Sequence, residues 1–461
     1  MSSTAILLTP ELRPLLNKSG PRYTSYPTAD RFKPDFGAAD HARALAERAA
    51  NAGAAPLSLY VHIPFCESIC YYCACNKVVT RHHDQSDRYL KALAREVTLH
   101  ARALGPRQAV SQLHFGGGTP TFLGDADLRD LLGVLREAFA FTGDAELSIE
   151  VDPRTVTPMR LQALADMGFN RLSFGVQDFD EQVQIAVHRV QPFEAVEALM
   201  DCARALPFKS INVDLIHGLP RQTPASFERT LAQVVSLRPD RIALYGYAHL
   251  PQRFKPQRRI KESELPTASQ RITMQEQAIM RFTAAGYEHI GMDHFALPND
   301  ALAVAKRAGR LHRNFQGYST RPDGDILGLG LSAIGRIGPC YTQNIKTLDA
   351  YIEAVENGSF ATERGWWLSF DDEVRRAAIM AVMCQGHLDF DQIERDFGIT
   401  AIDYFQLELQ ALRTMADGGL VEIRPRSIGV TPPGWHVVRA VAMVFDRHLS
   451  DGQTQRFSRV A

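Results

Sequence analysis

Residues 58–77 read SLYVHIPFCESICYYCACNK. A β-rich run, SLYVHI, passes through Pro64 and Phe65 straight into a loop that holds four of the chain's seven cysteines. Cys66, Cys70 and Cys73 stand at CxxxCxxC, three thiolates that suit one iron–sulfur cluster and leave it one ligand short. Cubane clusters normally take four protein sulfurs. A three-ligand loop leaves one iron open for a small molecule to coordinate and react. Two other chemistries suit the same spacing: a partial zinc site completed by His62 or His82, and a redox pair formed by Cys70 and Cys73. No second CxxC or HxxxH follows downstream to give zinc its usual pair of ligand pairs. Cys202, Cys340 and Cys384 lie scattered in apolar stretches and are expected to be buried and inert.

The strand that feeds this loop is the first of six. QLHF (112–115), ELSIEV (146–151), RLSFG (171–175), INVDLI (211–216) and RIALYG (241–246) follow, separated by helical patterns such as SDRYLKALAREVTLHARAL and TPASFERTLAQVVSL. Strand–helix alternation predicts a parallel sheet with right-handed crossovers. Six units fall short of the eight that close a full barrel, so the expected fold is α/β, a partial (β/α)6 barrel. Each strand runs into residues that a scaffold does not require. After the second comes GGGTP (116–120). The third ends in Glu150 and Asp152, the fourth meets Gln177 and Asp178, the fifth carries Asp214 into HGLP, and the sixth leads to YAHLP (247–251). Ligands of parallel sheets bind at the carboxyl ends of the strands, so these loops converge on one mouth.

Taken singly, the same residues have plain readings. GGG can be no more than a sharp strand-to-helix turn, or it can bring backbone N–H groups up to a carboxylate. Glu150 can be a surface or N-cap residue, or it can accept ribose hydroxyls. Asp214 interrupts an otherwise apolar run, where an unpartnered charge is costly, so it needs a polar partner.

The alternation fails after about residue 252. LHRNFQGYSTRPDGDILGLGLSAIG (311–335) has the mixture of aromatic, glycine and charged residues of a lid or pocket wall. From about 366 the pattern changes to helices at 371–385, 389–397 and 401–416, an extended pair around GLVEIRPRSIGVT, and a last helix at 433–449. The expected division is an N-terminal arm (1–55), the partial barrel with its extension (56–365) and a mostly helical, winged-helix-like C-terminal cap (366–461).

Composition sets outer bounds. The 461 residues are 45% hydrophobic and 22% charged, with a formal net charge of -1. That charge gives no electrostatic case for nucleic acid or anionic membrane. No run approaches the roughly 20 apolar residues of a membrane span. The opening MSSTAILLTPELRPLL lacks the basic leader of a secretion signal. An odd, clustered set of cysteines argues for a reducing compartment, and the cytoplasm is expected.

At CESICYYC the chain resembles the radical S-adenosylmethionine superfamily, with Tyr72 at that signature's aromatic position. SGPRYTSYPTA (19–29), SLYVHIPFC, CNKVVTR (75–81), HFGGGTPT (114–121), IEVDPR, FNRLSFGVQDF, YAHLP, GMDHFALP, LHRNFQGY and the terminal QRFSRV resemble, more narrowly, the oxygen-independent coproporphyrinogen III oxidase family over essentially the whole chain. The resemblance implies a 4Fe–4S cluster on Cys66, Cys70 and Cys73 and two S-adenosylmethionine molecules. Tyr60, Gly117, Glu150 and Ile334 would bind the first, and Tyr72, Gly118, Thr119, Gln177, Arg189, Asp214 and Ala248 the second. Arg189 would face a carboxylate and Asp214 ribose hydroxyls. Cys75 would act without ligating the cluster. The implied substrate is coproporphyrinogen III, two of whose propionates become vinyl groups, and its four carboxylates call for cations such as Arg22, Lys77 or Arg313. An electron donor such as flavodoxin or ferredoxin, and a monomer, complete the expectation. The rival within the resemblance is a heme chaperone that keeps the cysteines but lacks the PRYTSYPT arm and the CNK extension, both of which are present here. A more distant rival, a regulator acting through the winged-helix region, calls for a basic recognition helix.

Overall fold

The computed structural model describes residues 18–51, 53–105, 107–321 and 323–449, with Leu15 and Phe457. The opening stretch read for a leader, apart from Leu15, and the terminal QRFSRV, apart from Phe457, lie outside the described residues. The frame is one twelve-stranded sheet. Its strands in chain order are β1 Leu57–Ile63, β2 Ala109–Gly117, β3 Ala140–Val151, β4 Arg171–Gln177, β5 Ser210–His217, β6 Arg241–Gly246, β7 Glu288–Gly291, β8 His294–Ala296, β9 Ile326–Leu329, β10 Ile334–Ile337, β11 Cys340–Asn344 and β12 Thr362–Trp367. In space they run β12-β11-β10-β9-β1-β2-β3-β4-β5-β6-β8-β7. Strands β1 to β6 are parallel and adjacent, as the alternation predicts. The order never joins β6 back to β1, so the barrel is partial and open.

The sequence count of six misses one parallel strand. Ile326–Leu329 pairs parallel with β1, Ser58 opposite Ile326 and Val61 opposite Leu329. It sits inside the stretch read as a lid or pocket wall. No helix follows it: the chain turns at Gly330 and returns antiparallel as β10, so the strand–helix signature is missing. The rest of that stretch forms the hairpin His312–Asn314 with Gly317–Ser319.

Alternation within the strands decides which face does what. Leu57, Leu59, Val61 and Ile63 of β1, and Ile211, Val213 and Leu215 of β5, are buried in the main apolar core. The intervening residues, Tyr60 and His62, Gln112 and His114, Ser148 and Glu150, Asn212 and Asp214, turn the other way. A closed eight-stranded barrel fills its interior with branched apolar side chains; this one fills it with polar groups and leaves cavities. The crossover helices cover the apolar face. Thr157 caps Pro158–Asp166 and Thr223 caps Pro224–Leu237, each followed by proline at the first helical position.

A second apolar core lies apart from the first and gathers Tyr23 and Tyr26 of the N-terminal arm with residues of 374–445. Helices Phe370–Gln385, Phe390–Phe397 and Gln406–Asp417 stand beside a three-stranded antiparallel sheet of His387–Asp389, Ser427–Val430 and Val421–Arg424. The last predicted helix, 433–449, is in fact two short pieces, Gly434–Val437 and Val438–Met443.

One buried carboxylate ties the turn between β9 and β10 to the first crossover helix, Gln85–Leu104. Glu96 accepts from Gly330 N (2.6 Å), Asn344 Nδ2 (2.7 Å) and the Tyr351 hydroxyl (2.7 Å). Tyr89, two turns earlier, donates to His62 O (2.5 Å) and accepts from Leu331 N. Together they pin β9 and the turn after it against β1. Burial pushes Glu96 up to about 7, although all three hydrogen bonds favour the charged form.

Two outcomes follow from this packing. Glu96 is neutral in both states below the unfolded carboxylate range, so its stabilising contribution is complete there and is lost as pH rises through about 7. The pH 5 to pH 8 difference in unfolding free energy should therefore shrink by about 3 kcal/mol in Glu96→Gln; an unchanged difference would refute the assignment. Phe174 is wholly buried in the main core, and Phe174→Ala should cost about 3–5 kcal/mol of stability in denaturant unfolding.

Candidate active site

The cysteine loop is held by short, regular contacts. Phe65–Cys66 pairs with Val78–Val79, which closes the loop at its base, and Cys73 N donates to Cys70 O. Thr119 Oγ1 donates to Cys66 Sγ at 3.5 Å, and Arg189 Nη1 and Arg154 Nη2 reach Cys70 Sγ at 3.4 and 3.6 Å. Burial pushes the Cys66 thiol up to about 11. A hydrogen bond from Cys75, with Lys77 nearby, holds Cys73 at about 6 against its burial, while Cys75 is raised in turn.

Cys66, Cys70, Cys73 and Cys75 rim a cavity of about 160 Å³. Among the described residues no three His, Cys, Asp or Glu side chains converge on a single ion. His62, the ligand considered for zinc, is engaged at both ring nitrogens, with Tyr60 Oη at 3.1 Å and Asn76 O at 3.0 Å. Three thiols set around a cavity, with N–H and O–H donors aimed at two of the sulfurs, fit a multinuclear cluster whose charge offsets the burial of its thiolates.

The glycine run forms the next wall. Gly117 has φ +116, and a Cβ on it would lie 2.6 Å from the His62 ring; one on Gly118 would lie 2.7 Å from Pro64 O. Only glycine leaves both the turn and the cavity open. Gly117 N donates to Glu150 Oε2 at 3.2 Å, and His114 Nε2 approaches Oε1 at 3.3 Å. Burial works against ionisation of Glu150, but the bond and charge of His114, with the Gly117 N–H, keep its carboxyl below the usual range. It is a charged acceptor facing the cavity, its side chain 41% exposed.

Asp214 answers differently. It accepts from Ser173 Oγ and Asn212 Nδ2, both at 2.9 Å, yet burial and the neighbouring Glu150 charge push it up to about 6. Gln177 ends β4 in the left-handed region, φ +69, a strain expected where a side chain is aimed at a function. Arg189 is 7% exposed and donates to Asp152 Oδ2 at 3.0 Å. Tyr72 packs with Tyr247 on the small cluster of Val183, Val187 and Leu219.

All of the site residues expected from the sequence line this one cavity except Tyr60, Ala248 and Ile334. Tyr60 stands beside it on β1, stacked on His114 at 5.9 Å. Ala248 lies in the loop beyond β6, and Ile334 starts β10 across the turn that Glu96 holds. Of the cations suggested for carboxylates, Arg22 is spent on Asp293 and Lys77 caps the carbonyls of Cys73 and Cys75. Arg313 is buried against the Tyr318 ring, 4.6 Å from its centroid, with Nη1 lacking an acceptor. Cys340 and Cys384 are buried as expected, whereas Cys202 is half-buried.

Two features were missed, the arginine that pairs with the expected Asp152 and a second cavity. Arg154 and Asp152 form a close pair beside Cys70, with Arg154 Nη2 at 2.7 Å from Asp152 Oδ2; Against burial, Arg189 and Arg154 hold Asp152 below the usual range. IEVDPR contained both, at the end of a strand already assigned to the mouth. A second cavity of about 160 Å³ shares Glu150, Ser173 and Asp214 with the first and runs down the barrel to Arg171 and Arg241. RLSFG and RIALYG each open with arginine at an inward position, a signal that the strand ends at the other rim had overshadowed.

Comparison with known proteins agrees with this geometry. The model of the radical SAM superfamily matches residues 60–234. The chain is 48% identical over 444 residues to the oxygen-independent coproporphyrinogen III oxidase of Pseudomonas aeruginosa, and 48% identical over 445 residues to that of Escherichia coli, each alignment covering 96% of both chains. The solved structure of the Escherichia coli coproporphyrinogen III oxidase, a radical SAM enzyme, superimposes with a TM-score of 0.90 over 93% of this chain and 98% of that one. With identity of 48% across nearly the whole length of both chains and a superposition that holds over 93% of this one, the chain belongs to the oxygen-independent coproporphyrinogen III oxidase family of radical S-adenosylmethionine enzymes.

Proposed function

We propose that this chain converts coproporphyrinogen III to protoporphyrinogen IX without oxygen, by oxidative decarboxylation of two propionate side chains to vinyl groups. The observation that carries the reading is the single cavity on which three cluster-competent thiols, a charged Glu150 and a buried Asp214 meet. Cys66, Cys70 and Cys73 would hold the 4Fe–4S cluster, leaving one iron for S-adenosylmethionine. When bound, this pair would supply the one-electron chemistry that removes a hydrogen atom from a propionate β-carbon, so that loss of carbon dioxide and of one electron to an acceptor would leave a vinyl group.

The chain's own residues bind, orient and exclude water. Glu150, fixed by Gly117 N and His114, is poised to accept ribose hydroxyls of the first S-adenosylmethionine, beside Tyr60, Gly117 and Ile334. Arg189 and Asp214, with Tyr72, Gly118, Thr119, Gln177 and Ala248, are assigned to the second. Arg189 offers the charge-assisted contact that a carboxylate needs, and its Nε is buried without an acceptor. Cys75, hydrogen-bonded to Cys73 at the cavity rim, is assigned a direct role without ligating the cluster, in proton donation or cluster support. An electron donor such as flavodoxin or ferredoxin and a monomeric state belong to the same proposal.

The C-terminal elements follow the order helix, strand, helix, a further helix broken at Phe405 into Ala401–Tyr404 and Gln406–Asp417, strand, strand, which supports a winged-helix-like cap over 366–461 beside the arm (1–55) and barrel (56–365). Arg426 of its wing is paired with Asp391 and Glu394, which favours a structural cap over a nucleic-acid reader. No described helix is long and apolar enough to cross a membrane, in keeping with a cytoplasmic enzyme.

Anaerobic reconstituted protein, supplied with reductant, S-adenosylmethionine, coproporphyrinogen III and cell extract as electron acceptor, should yield protoporphyrin fluorescence after oxidation together with 5′-deoxyadenosine. Cys70→Ala should yield neither. Deoxyadenosine without a porphyrin product would overturn the substrate, and heme binding with neither product would favour the chaperone relative. Gly117→Ala drives a methyl group into the His62 ring; it should weaken S-adenosylmethionine binding at least tenfold in equilibrium titration while the cluster absorption persists.

A further inference from the structure

The lower cavity has a chemistry of its own. Arg171 and Arg241, the first residues of β4 and β6, line it with side chains 11% and 15% exposed. Each is paired with one acid through one nitrogen: Arg171 Nη2 with Glu146 at 3.0 Å, Arg241 Nε with Asp300 at 2.8 Å. A guanidinium carries five N–H donors. Arg171 Nε and Nη1, Arg241 Nη2 and the neighbouring Gln316 Nε2 are buried without any acceptor. All four of these buried, unpartnered side-chain atoms are donors, and none of the fully buried unpartnered atoms of the lining residues is an acceptor. A buried donor without an acceptor is costly, so the cavity favours an occupant rich in oxygen lone pairs. Burial and the adjacent Arg171 charge also push Arg241 down to about 10, the mark of two cations not fully compensated by their acids.

Position narrows the occupant. Arg171 lies four residues before Gly175, about 13 Å along the strand at roughly 3.3 Å per residue, and Gly175 lines the cofactor cavity. A group seated on the floor is remote from the reacting carbon. It therefore belongs to a ligand with more than one carboxylate, as a tetrapyrrole with four propionates is. Two guanidinium forks suit a carboxylate better than a neutral carbonyl, because each can meet both oxygens. We propose that Arg171 and Arg241 form a carboxylate subsite that anchors a propionate of the substrate that is not decarboxylated in that turnover, leaving the reacting one at the cofactor end. This rests on the oxidase reading above.

The test is fluorescence titration of the holoenzyme with coproporphyrin III, the stable oxidised porphyrin bearing the same four propionates, and with its tetramethyl ester. Wild type should prefer the free acid. Arg171→Gln and Arg241→Gln should each weaken free-acid binding at least tenfold, leave ester binding unchanged, and keep the cluster absorption and S-adenosylmethionine affinity. Equal loss for acid and ester, or no loss for either, would overturn the subsite. Should the glutamine variants fail to fold, the lysine variants, which keep the charge and lose the fork, serve the same titration: acid-selective weakening supports the proposal and wild-type behaviour refutes it. Wild-type protein that binds neither porphyrin would instead overturn the oxidase reading, and the subsite with it.

Discussion

Polar side chains turned into the middle of a barrel must find partners there, and that constraint governs the rest of this structure. Most of the inward-facing residues of β1 to β6 send an acid, amide, hydroxyl, imidazole or guanidinium into the barrel, while the alternate residues build the apolar core beneath the helices. An interior of that kind cannot close like a packed hydrophobic barrel, because desolvated polar groups without partners are costly. It persists by hydrogen-bonding across strands, Ser173 with Asp214, His114 with Glu150, Arg171 with Glu146, and by keeping cavities in which ligands can complete the set.

The carboxylates at the mouth show how environment assigns different states to similar groups. Glu150 has a backbone N–H and an imidazole aimed at it and stays ionised. Asp214, close by, has only a hydroxyl and an amide, and it feels the Glu150 charge. Its carboxyl is pushed up to about 6. Asp152 is held down by two arginines. Such separation of ionisation states within one cavity is a feature of functional sites. The frame that keeps these groups in register includes residues far from the chemistry: Glu96 and Tyr89 fasten the turn after β9 to β1, and so fix the edge along which Ile334 lies.

Much of the site was legible because its chemistry needs residue types that scaffolds do not. Three cysteines in eight residues, a triple glycine and an aspartate in an apolar strand each stand out from the run around them. Their order along the chain follows the strands, so the converging mouth could be read from alternation alone. The ninth strand could not: ILGL has no crossover helix after it, and its pairing with β1 spans more than two hundred residues. Arg171 and Arg241 were hidden for another reason. An arginine at a strand's start reads as a solvated end unless the register is known, and both proved to face inward.

A resemblance to a known family implied the chemistry, and the chain's own pattern determined the class of fold, the six parallel strands and the cysteine loop. These depend on local spacing and on periodicity, which the chain carries in linear order. Tertiary structure decided what depends on groups distant in sequence. It set the protonation of Glu150, Asp214 and Glu96, paired Arg22 with Asp293, and left orphaned donors on the barrel floor. A side chain's charge state and its unmet hydrogen bonds are properties of its surroundings, and those exist only once the strands are brought side by side.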